Sequence, residues 1–395
     1  MTGLTEIRNG LVVTPTRVID DGCVVLAGNR IANVSGTRRA PLDRARTVDA
    51  KGSVVMPGLV DLHGDDVEQH LYPRSKARVD VRQALSMADR VNVLAGVTTK
   101  FHAIAFEDSP DDDRCFDDAN ELAREIATAT NMLGNNRLHA RCELSAASVD
   151  AVERLVDDVD VDLVSIMHHT PGNGQFDAEE FERHSVEDRN WPKESVTKAA
   201  TERELLSRAD RKSLSDRIAD MAADIEAPLA SHDDESAAGV DRMHEHGASI
   251  SEYPITHEAA ERATDRGMTV VMGAPNLARG GSLWDNLSAR SAIDAGLVDV
   301  LCSDYHPPSL LAAPFVDTGE SLPVRVNRVT RNPAESVGLH DRGRIEAGAR
   351  ADVIIVDPEP IPTVERTFVG GTEALSADPG TPRTARLATR RGPGS

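Results

Sequence analysis

Residues 54–70 read VVMPGLVDLHGDDVEQH, an apolar run that stops abruptly at His63-Gly64-Asp65. Such a run suits a strand buried on both faces, as in parallel sheets covered by helices. A parallel α/β barrel gathers its chemistry at the carboxyl ends of its strands. His63 and Asp65 lie two apart, so on an extended segment their side chains point the same way. A nitrogen and a carboxylate converging there make half of a divalent-metal site. The plainer reading, a strand followed by a polar turn, is tested by the rest of the chain.

Seven further strand-like runs follow 54–62: 97–104 (VTTKFHAI), 138–144 (LHARCEL), 161–167 (VDLVSIM), 228–231 (PLAS), 248–254 (ASISEYP), 269–273 (TVVMG) and 298–303 (VDVLCS). Helical periodicity covers 116–133, 204–225 and 234–246. Eight alternating units over about 250 residues match a (β/α)8 TIM barrel. Residues 177–212 form a charged insertion between the fourth and fifth strands, read as a solvated outer helix with a lid as the alternative. Short strands at 5–48, with turns at Asp21-Gly22 and Gly28-Asn29, and a similar pattern at 344–356, predict β-sandwich pieces that pair with each other. The expected domains are a composite β-sandwich from 1–55 and 336–371, a barrel from 56–335, and a disordered Gly/Pro/Thr/Arg-rich tail from 372–395.

Composition narrows the class. The chain has 395 residues, 40% of them hydrophobic, in the range of a globular protein. No apolar run is long enough to span a membrane, and Met1 to Arg8 show no signal-peptide pattern. Cys23, Cys115, Cys142 and Cys302 are scattered, which fits reduced thiols and a cytoplasmic location. The net charge is -21, aromatics are 3%, and only six of the 44 basic residues are lysine, leaving 38 arginines. This pattern resembles halophilic proteins, whose self-repulsion is screened when about 1 M salt shortens the Debye length to roughly 3 Å. It argues against a nucleic-acid partner.

The strand ends supply His63, Asp65, Glu143, His169, His232 and Asp304 as candidate metal ligands. Each alone has an ordinary structural explanation, but a barrel brings all of them to one mouth. Nitrogen and oxygen donors suit zinc, one or two ions, with manganese or iron as alternatives. After the seventh strand, Arg279, Gly280 and Gly281 offer a guanidinium and a Gly-Gly loop to phosphate oxygens. Arg74 and Lys76 are second candidates for phosphate or phosphonate. Glu68 and His70 are candidates to orient ligands, and His102 to contact substrate or pack.

MPGLVDLH (56–63) and GRIEAGARADVIIVD (343–357) resemble the amidohydrolase superfamily, which joins a metal-dependent barrel to a small β-sandwich made from both termini. HGDDVEQHLYPR (63–74), HHTPGNGQF (168–176), ASHDDES (230–236), VVMGAPNLARGGS (270–282), CSDYHPPSLL (302–311) and TRNPAESVGLHDRGRIEAG (330–348) resemble the PhnM family more closely. Those are the phosphonate triphosphate diphosphatases of the carbon–phosphorus lyase pathway. The resemblance runs from about residue 5 to 358 and implies metal binding by His63, Asp65, His169, His232 and Asp304, with Glu143 as bridging carboxylate. His168 stands where the family usually carries aspartate, which leaves the choice between His168 and His169 open. His306, a candidate substrate contact, stands where tyrosine is common. The implied reaction is hydrolysis of 5-triphosphoribosyl 1-methylphosphonate to the 5-phosphate and pyrophosphate, with Asp304 as general base. The alternatives are another amidohydrolase activity, such as deacetylation of N-acetylglucosamine 6-phosphate or deamination, and a non-catalytic scaffold. A homo-oligomer is compatible with all of them.

Overall fold

The computed structural model describes residues 3–36, 42–109, 113–168, 207–282 and 286–377. His169, most of the 177–212 insertion and the tail beyond 377 lie outside them. Among the described residues no helix is long and apolar enough to cross a membrane.

The chain begins with five strands, β1 (Leu4–Val13), β2 (Val18–Ala27), β3 (Arg30–Ser35), β4 (Arg46–Asp49) and β5 (Val54–Pro57). It ends with β14 (Val353–Asp357), β15 (Thr363–Val369) and β16 (Thr372–Ser376). These form one sheet in the order β16-β15-β14-β5-β1-β2-β3, with β4 beside β1. Both termini therefore contribute, as expected, and the antiparallel β5–β14 ladder joins them. Residues 372–376, expected to open a disordered tail, instead pair antiparallel with β15.

Why VVM and VIIV are continuously apolar is now physical. Val55, Val353 and Ile355 face a core with Ile7, Val24, Ile31 and Phe368 inside the terminal sheet. Val54, Met56, Ile354 and Val356 face the other way and pack with the barrel residues Leu59, Met272 and Leu301. Both faces of these strands are covered, so alternation disappears.

The barrel strands are β6 (Leu59–Gly64), β7 (Val97–Phe106), β8 (Asn135–Glu143), β9 (Leu163–Met167), β10 (Leu229–His232), β11 (Ile250–Glu252), β12 (Thr269–Gly273) and β13 (Val300–Cys302). They lie in sequence order, each parallel to the next. The run 54–62, expected as one strand, is two strands in two sheets, divided at Pro57-Gly58. Gly58 N–H donates to Asp352 O at 3.0 Å on the terminal side, and Leu59 N–H donates to Gly96 O at 2.9 Å on the barrel side. A Cβ on Gly58 would meet Thr98 Oγ1 at 2.2 Å and Thr98 Cγ2 at 2.3 Å.

The eighth strand meets the first around Asp304. Its N–H donates to His63 O at 2.9 Å, and Asp65 N–H donates to Asp304 O at 3.2 Å. Asp61 extends the seam, its Oδ1 accepting from Ser303 N at 2.9 Å. Asp61 Oδ2 lies 2.7 Å from Lys100 Nζ. The same ammonium lies 2.7 Å from Asp66 Oδ1 and donates to Ser303 Oγ at 2.9 Å.

Helices cover the outside. α1 (Asp66–Leu71), α2 (Val81–Leu94), α3 (Phe116–Thr128) and α4 (Ala146–Val156) alternate with the first strands. In α3 the buried positions Ala119, Leu122, Ala123 and Ile126 recur at helical spacing. α5 (Arg208–Asp224) starts with a Ser207–Asp210 capping box. α6 (Ala237–Glu245), α7 (His257–Asp265) and α8 (Ala274–Arg279) follow, then α9 (Ala289–Asp294) and α10 (Pro307–Ala312).

Because Thr98 is β-branched and held in a central strand, it cannot easily move aside. Gly58→Ala is expected to lower stability by about 1–3 kcal/mol, the usual cost of overpacking. Denaturant unfolding midpoints of variant and wild type measure it.

Candidate metal centre

Glu252 ends β11 and is fully buried. Three imidazoles from three other strands surround its Oε2: His63 Nδ1 at 3.3 Å, His232 Nδ1 at 3.4 Å and His139 Nε2 at 3.9 Å. Donor atoms of His63, His139 and Glu252 all lie within 4.8 Å of one another, close enough to share one ion. The His63 and His232 rings stack at 5.4 Å, and Tyr253 meets each of them edge-on, at 5.1 and 5.2 Å.

The hydrogen bonds set one tautomer. His139 Nδ1 lies 3.0 Å from Leu62 O, which can only accept, so the proton sits on Nδ1. Nε2 is left with its lone pair, 2.9 Å from Ser165 Oγ. Burial is the largest effect on both inner rings. It lowers the His63 pKa and pushes His139 down to about 3. Burial opposes charge on Glu252 as well, but the facing His63 and His139 outweigh it and hold the carboxyl well below its ordinary range. These shifts compete, since each ring that stays neutral weakens the attraction on Glu252. Burial dominates both rings, so neutral imidazoles beside an ionised carboxylate is the consistent state, and it is the state metal ligation requires.

A metal fits the donor set. His63 Nδ1, Asp65 Oδ1 and Glu252 Oε1 are buried without a hydrogen-bond partner, although such atoms are nearly always paired in folded proteins. Borderline nitrogen and hard oxygen donors together suit zinc, manganese or iron.

Asp65 and Asp304 sit above this cluster at the seam. Asp304 adopts φ 55, a left-handed conformation rare for a residue with a Cβ. Burial, then the nearby Asp65, pushes its carboxyl up to about 7. Gly64 is required between the two ligand candidates, because a Cβ there would lie 1.8 Å from Lys100 Nζ. Burial pulls the Lys100 ammonium down, but Asp61 and Asp66 more than offset it.

Of the residues singled out in the sequence, His63 and His232 enter the cluster around Glu252, with Asp65 and Asp304 beside it. Glu143 ends β8, buried, on the face it shares with His139 and Arg141 by alternation, but outside the His63–His139–Glu252 group. His168 follows β9 and is half-buried. Arg279 ends α8, its Nη1 donating to Tyr305 Oη at 2.8 Å and its Nη2 to Gly281 O at 3.2 Å. The N–H groups of Gly280 and Gly281 both turn back onto Asn276 O, capping the helix instead of pointing outward. Arg74 and Lys76 are exposed beyond α1. His306 precedes α10, with Nδ1 2.8 Å from Ser309 Oγ. Glu68 is held by Arg114 Nε at 2.8 Å, and His102 is buried with Nε2 2.7 Å from Asn136 Oδ1.

His139, Glu252 and Arg141 were not singled out. Each carried a signal: His139 and Arg141 alternate with Glu143 at two-residue spacing on one strand. Glu252 is the last polar group of SISE before Tyr253-Pro254, a strand-end position like the others.

No family model matches the chain. It is 36% identical over 364 residues to the alpha-D-ribose 1-methylphosphonate 5-triphosphate diphosphatase of Escherichia coli (strain K12), covering 88% of this chain and 94% of that one. Solved structures share the architecture at low identity. The Aspergillus niger ochratoxinase has a TM-score of 0.64 at 16% identity, over 96% of this chain and 97% of that one. N-acetylglucosamine-6-phosphate deacetylase from Pasteurella multocida has 0.64 at 12%, over 95% and 100%. An amidohydrolase crystal structure has 0.60 at 15%, over 95% and 100%. These likenesses show a shared fold, a parallel barrel joined to a sheet from both termini.

Two outcomes are expected. Glu252→Gln lowers metal content, read by elemental analysis after dialysis, by about tenfold or more in affinity, while the same change at Glu143 tells which carboxylate is the stronger ligand. In chelator-treated protein, the raised Asp304 pKa makes its contribution to stability greatest below about pH 4. That contribution falls as pH rises toward 7. Asp304→Asn should therefore gain in unfolding midpoint over wild type between pH 4 and 8.

Proposed function

This chain belongs to the family of alpha-D-ribose 1-methylphosphonate 5-triphosphate diphosphatases, and we propose that it hydrolyses such ribosyl phosphonate triphosphates to the 5-phosphate and pyrophosphate. The carrying observation is the near full-length match to the E. coli enzyme. The buried imidazole–carboxylate cluster supports it chemically. The enzyme is then a hydrolase of a phosphorus-containing acid anhydride.

His63, His139 and Glu252 would hold a divalent metal, zinc in the first instance, with His232, Asp65 and Asp304 placed to complete its surroundings. His169 and Glu143 stay proposed ligands from the sequence pattern. A divalent ion held there supplies Lewis acidity, acidifying water and polarising a phosphoryl oxygen.

The chain's own residues do the rest. Asp304, buried at the seam where the last strand meets the first, is the group that takes a proton from the attacking water in this reading. The water oxygen bonds to the α-phosphorus, the anhydride bond to the β-phosphate breaks, and pyrophosphate leaves with that electron pair. Such a transfer needs positioning and charge neutralisation, not a nucleophilic side chain. His139 is oriented by Leu62 O on Nδ1, and its Nε2 lone pair, which faces Ser165 Oγ, is the one a metal would take up. Arg279, tied to Tyr305, is the proposed contact for the distal phosphates. Arg74, Lys76, Gly280, Gly281 and His306 are secondary candidates.

We place the reaction in the cytoplasm, in keeping with four free cysteines, and read the acidic, arginine-rich surface as adaptation to high salt.

Purified protein with a divalent metal is expected to release pyrophosphate, and neither acetate nor ammonia, from a ribosyl phosphonate triphosphate. A chelator should abolish the release. Asp304→Asn should lower turnover by about 10²–10⁴-fold. Acetate or ammonia from an acylated or aminated substrate, without pyrophosphate release, would identify a different amidohydrolase.

A further inference from the structure

Among the described residues three arginines are 7% exposed: Arg141, Arg328 and Arg342. Two are saturated. Arg328 donates to Val298 O at 2.9 Å and to both oxygens of Glu320. Arg342 donates to Asp341 Oδ1 at 2.9 Å, Thr99 Oγ1 at 3.0 Å and Asn135 Oδ1 at 2.7 Å. These bonds pin loops to the barrel and explain why the charges are buried.

Arg141 differs. Its Nε donates to Met167 Sδ at 3.2 Å, a thioether and so a weak acceptor. Its Nη1 is buried with no hydrogen-bond partner. The nearest carboxylate to Nη1 is Asp65 Oδ2 at 3.6 Å, an attraction but too long for a hydrogen bond. A buried guanidinium left with idle donors costs free energy that a purely structural residue would recover from neighbouring carbonyls. It sits on β8 between His139 and Glu143, within electrostatic reach of His63, Asp304 and Glu68.

We propose that Arg141 is the internal phosphoryl-binding residue, its guanidinium engaging the non-bridging oxygens of the phosphorus under attack. This rests on the diphosphatase reading and adds to it a substrate contact and a source of specificity. Planar guanidinium donors match a pair of phosphoryl oxygens, and a charge-assisted bond in a dry site is stronger than one at the rim. The site otherwise gathers Asp65, Asp304 and Glu252, which would repel a polyanion. Arg141 supplies the compensating charge within the buried site, whereas Arg279 is exposed and tied to Tyr305. A neutral acyl or purine substrate would leave that charge unmatched, so Arg141 also favours phosphoryl over acyl chemistry.

The test uses full-length protein with Arg141→Ala, Arg141→Lys and, for comparison, Arg279→Ala. Two readouts are taken: affinity for tripolyphosphate by calorimetry, and kcat and KM for pyrophosphate release. Arg141→Ala is expected to weaken tripolyphosphate binding about tenfold or more. Its kcat should fall on the order of 10²–10³-fold with a smaller change in KM, and added guanidinium ion should recover part of that turnover. Arg279→Ala should chiefly raise KM, with no guanidinium effect on kcat. Arg141→Lys, which keeps the charge, should fold and retain intermediate affinity. Wild-type tripolyphosphate affinity in both Arg141 variants would overturn the proposal, as would kcat within about threefold of wild type in Arg141→Ala. Absence of pyrophosphate release from wild type itself would count against the diphosphatase reading alone. Tripolyphosphate affinity would then decide whether Arg141 binds phosphoryl groups.

Discussion

A single ammonium group underlies the geometry of this protein. Lys100 Nζ lies 2.7 Å from Asp61 and 2.7 Å from Asp66, and it donates to Ser303 Oγ. Asp61 in turn accepts the Ser303 N–H. These groups come from the first and second barrel strands, the residue after the last strand and the start of α1. The parallel ladder between last and first strand is reduced to one bridge at Gly64 and Asp304, so this buried ion network does much of the closing. A buried pair of this kind is costly to desolvate and costly to break, and its best-attested use is to specify one arrangement. Here the arrangement specified is the backbone that carries His63, Asp65 and Asp304. The glycine of His63-Gly64-Asp65 follows from it, since Lys100 occupies the space a side chain would need.

Above that network the charges are sorted by depth. His63 and His139 are buried and held toward the neutral form beside the Glu252 carboxylate, while burial, then the nearby Asp65, raises the Asp304 carboxyl. A cluster so arranged is poorly satisfied by itself, with unpaired atoms on His63, Asp65, Glu252 and Arg141. Pre-formed donors and acceptors that lack partners in the folded chain mark places where a cation and an anion complete the structure.

Much of this was legible beforehand. Every expected barrel strand exists, because short apolar runs ending in polar groups have few other solutions. The composite terminal sheet was also readable, from Asp-Gly and Gly-Asn turns and from the returning VIIV run. Boundaries were less so. Residues 54–62 look like one strand, and only the Gly58–Thr98 contact and the Asp352 hydrogen bond reveal that the chain changes sheets there. The tail was cut too early at 372, since Thr372–Ser376 carries few strong strand formers and gains its place by pairing with β15. The RGGS loop suggested amides aimed at phosphate, but helix capping by Asn276 consumes them.

What the sequence determined alone was the architecture and the kinds of atoms at the barrel mouth. Hydrophobic periodicity sets strand and helix order, and imidazole and carboxylate at strand ends set the chemistry. What tertiary structure decided was which of them meet. Glu252 reaches His63, His139 and His232, while Glu143, equally plausible on paper, falls outside that group. Likewise Arg141 is the buried guanidinium left without full partners, whereas Arg328 and Arg342 are tied down. These outcomes depend on register and strand tilt between different strands, and no local pattern encodes distances across a barrel.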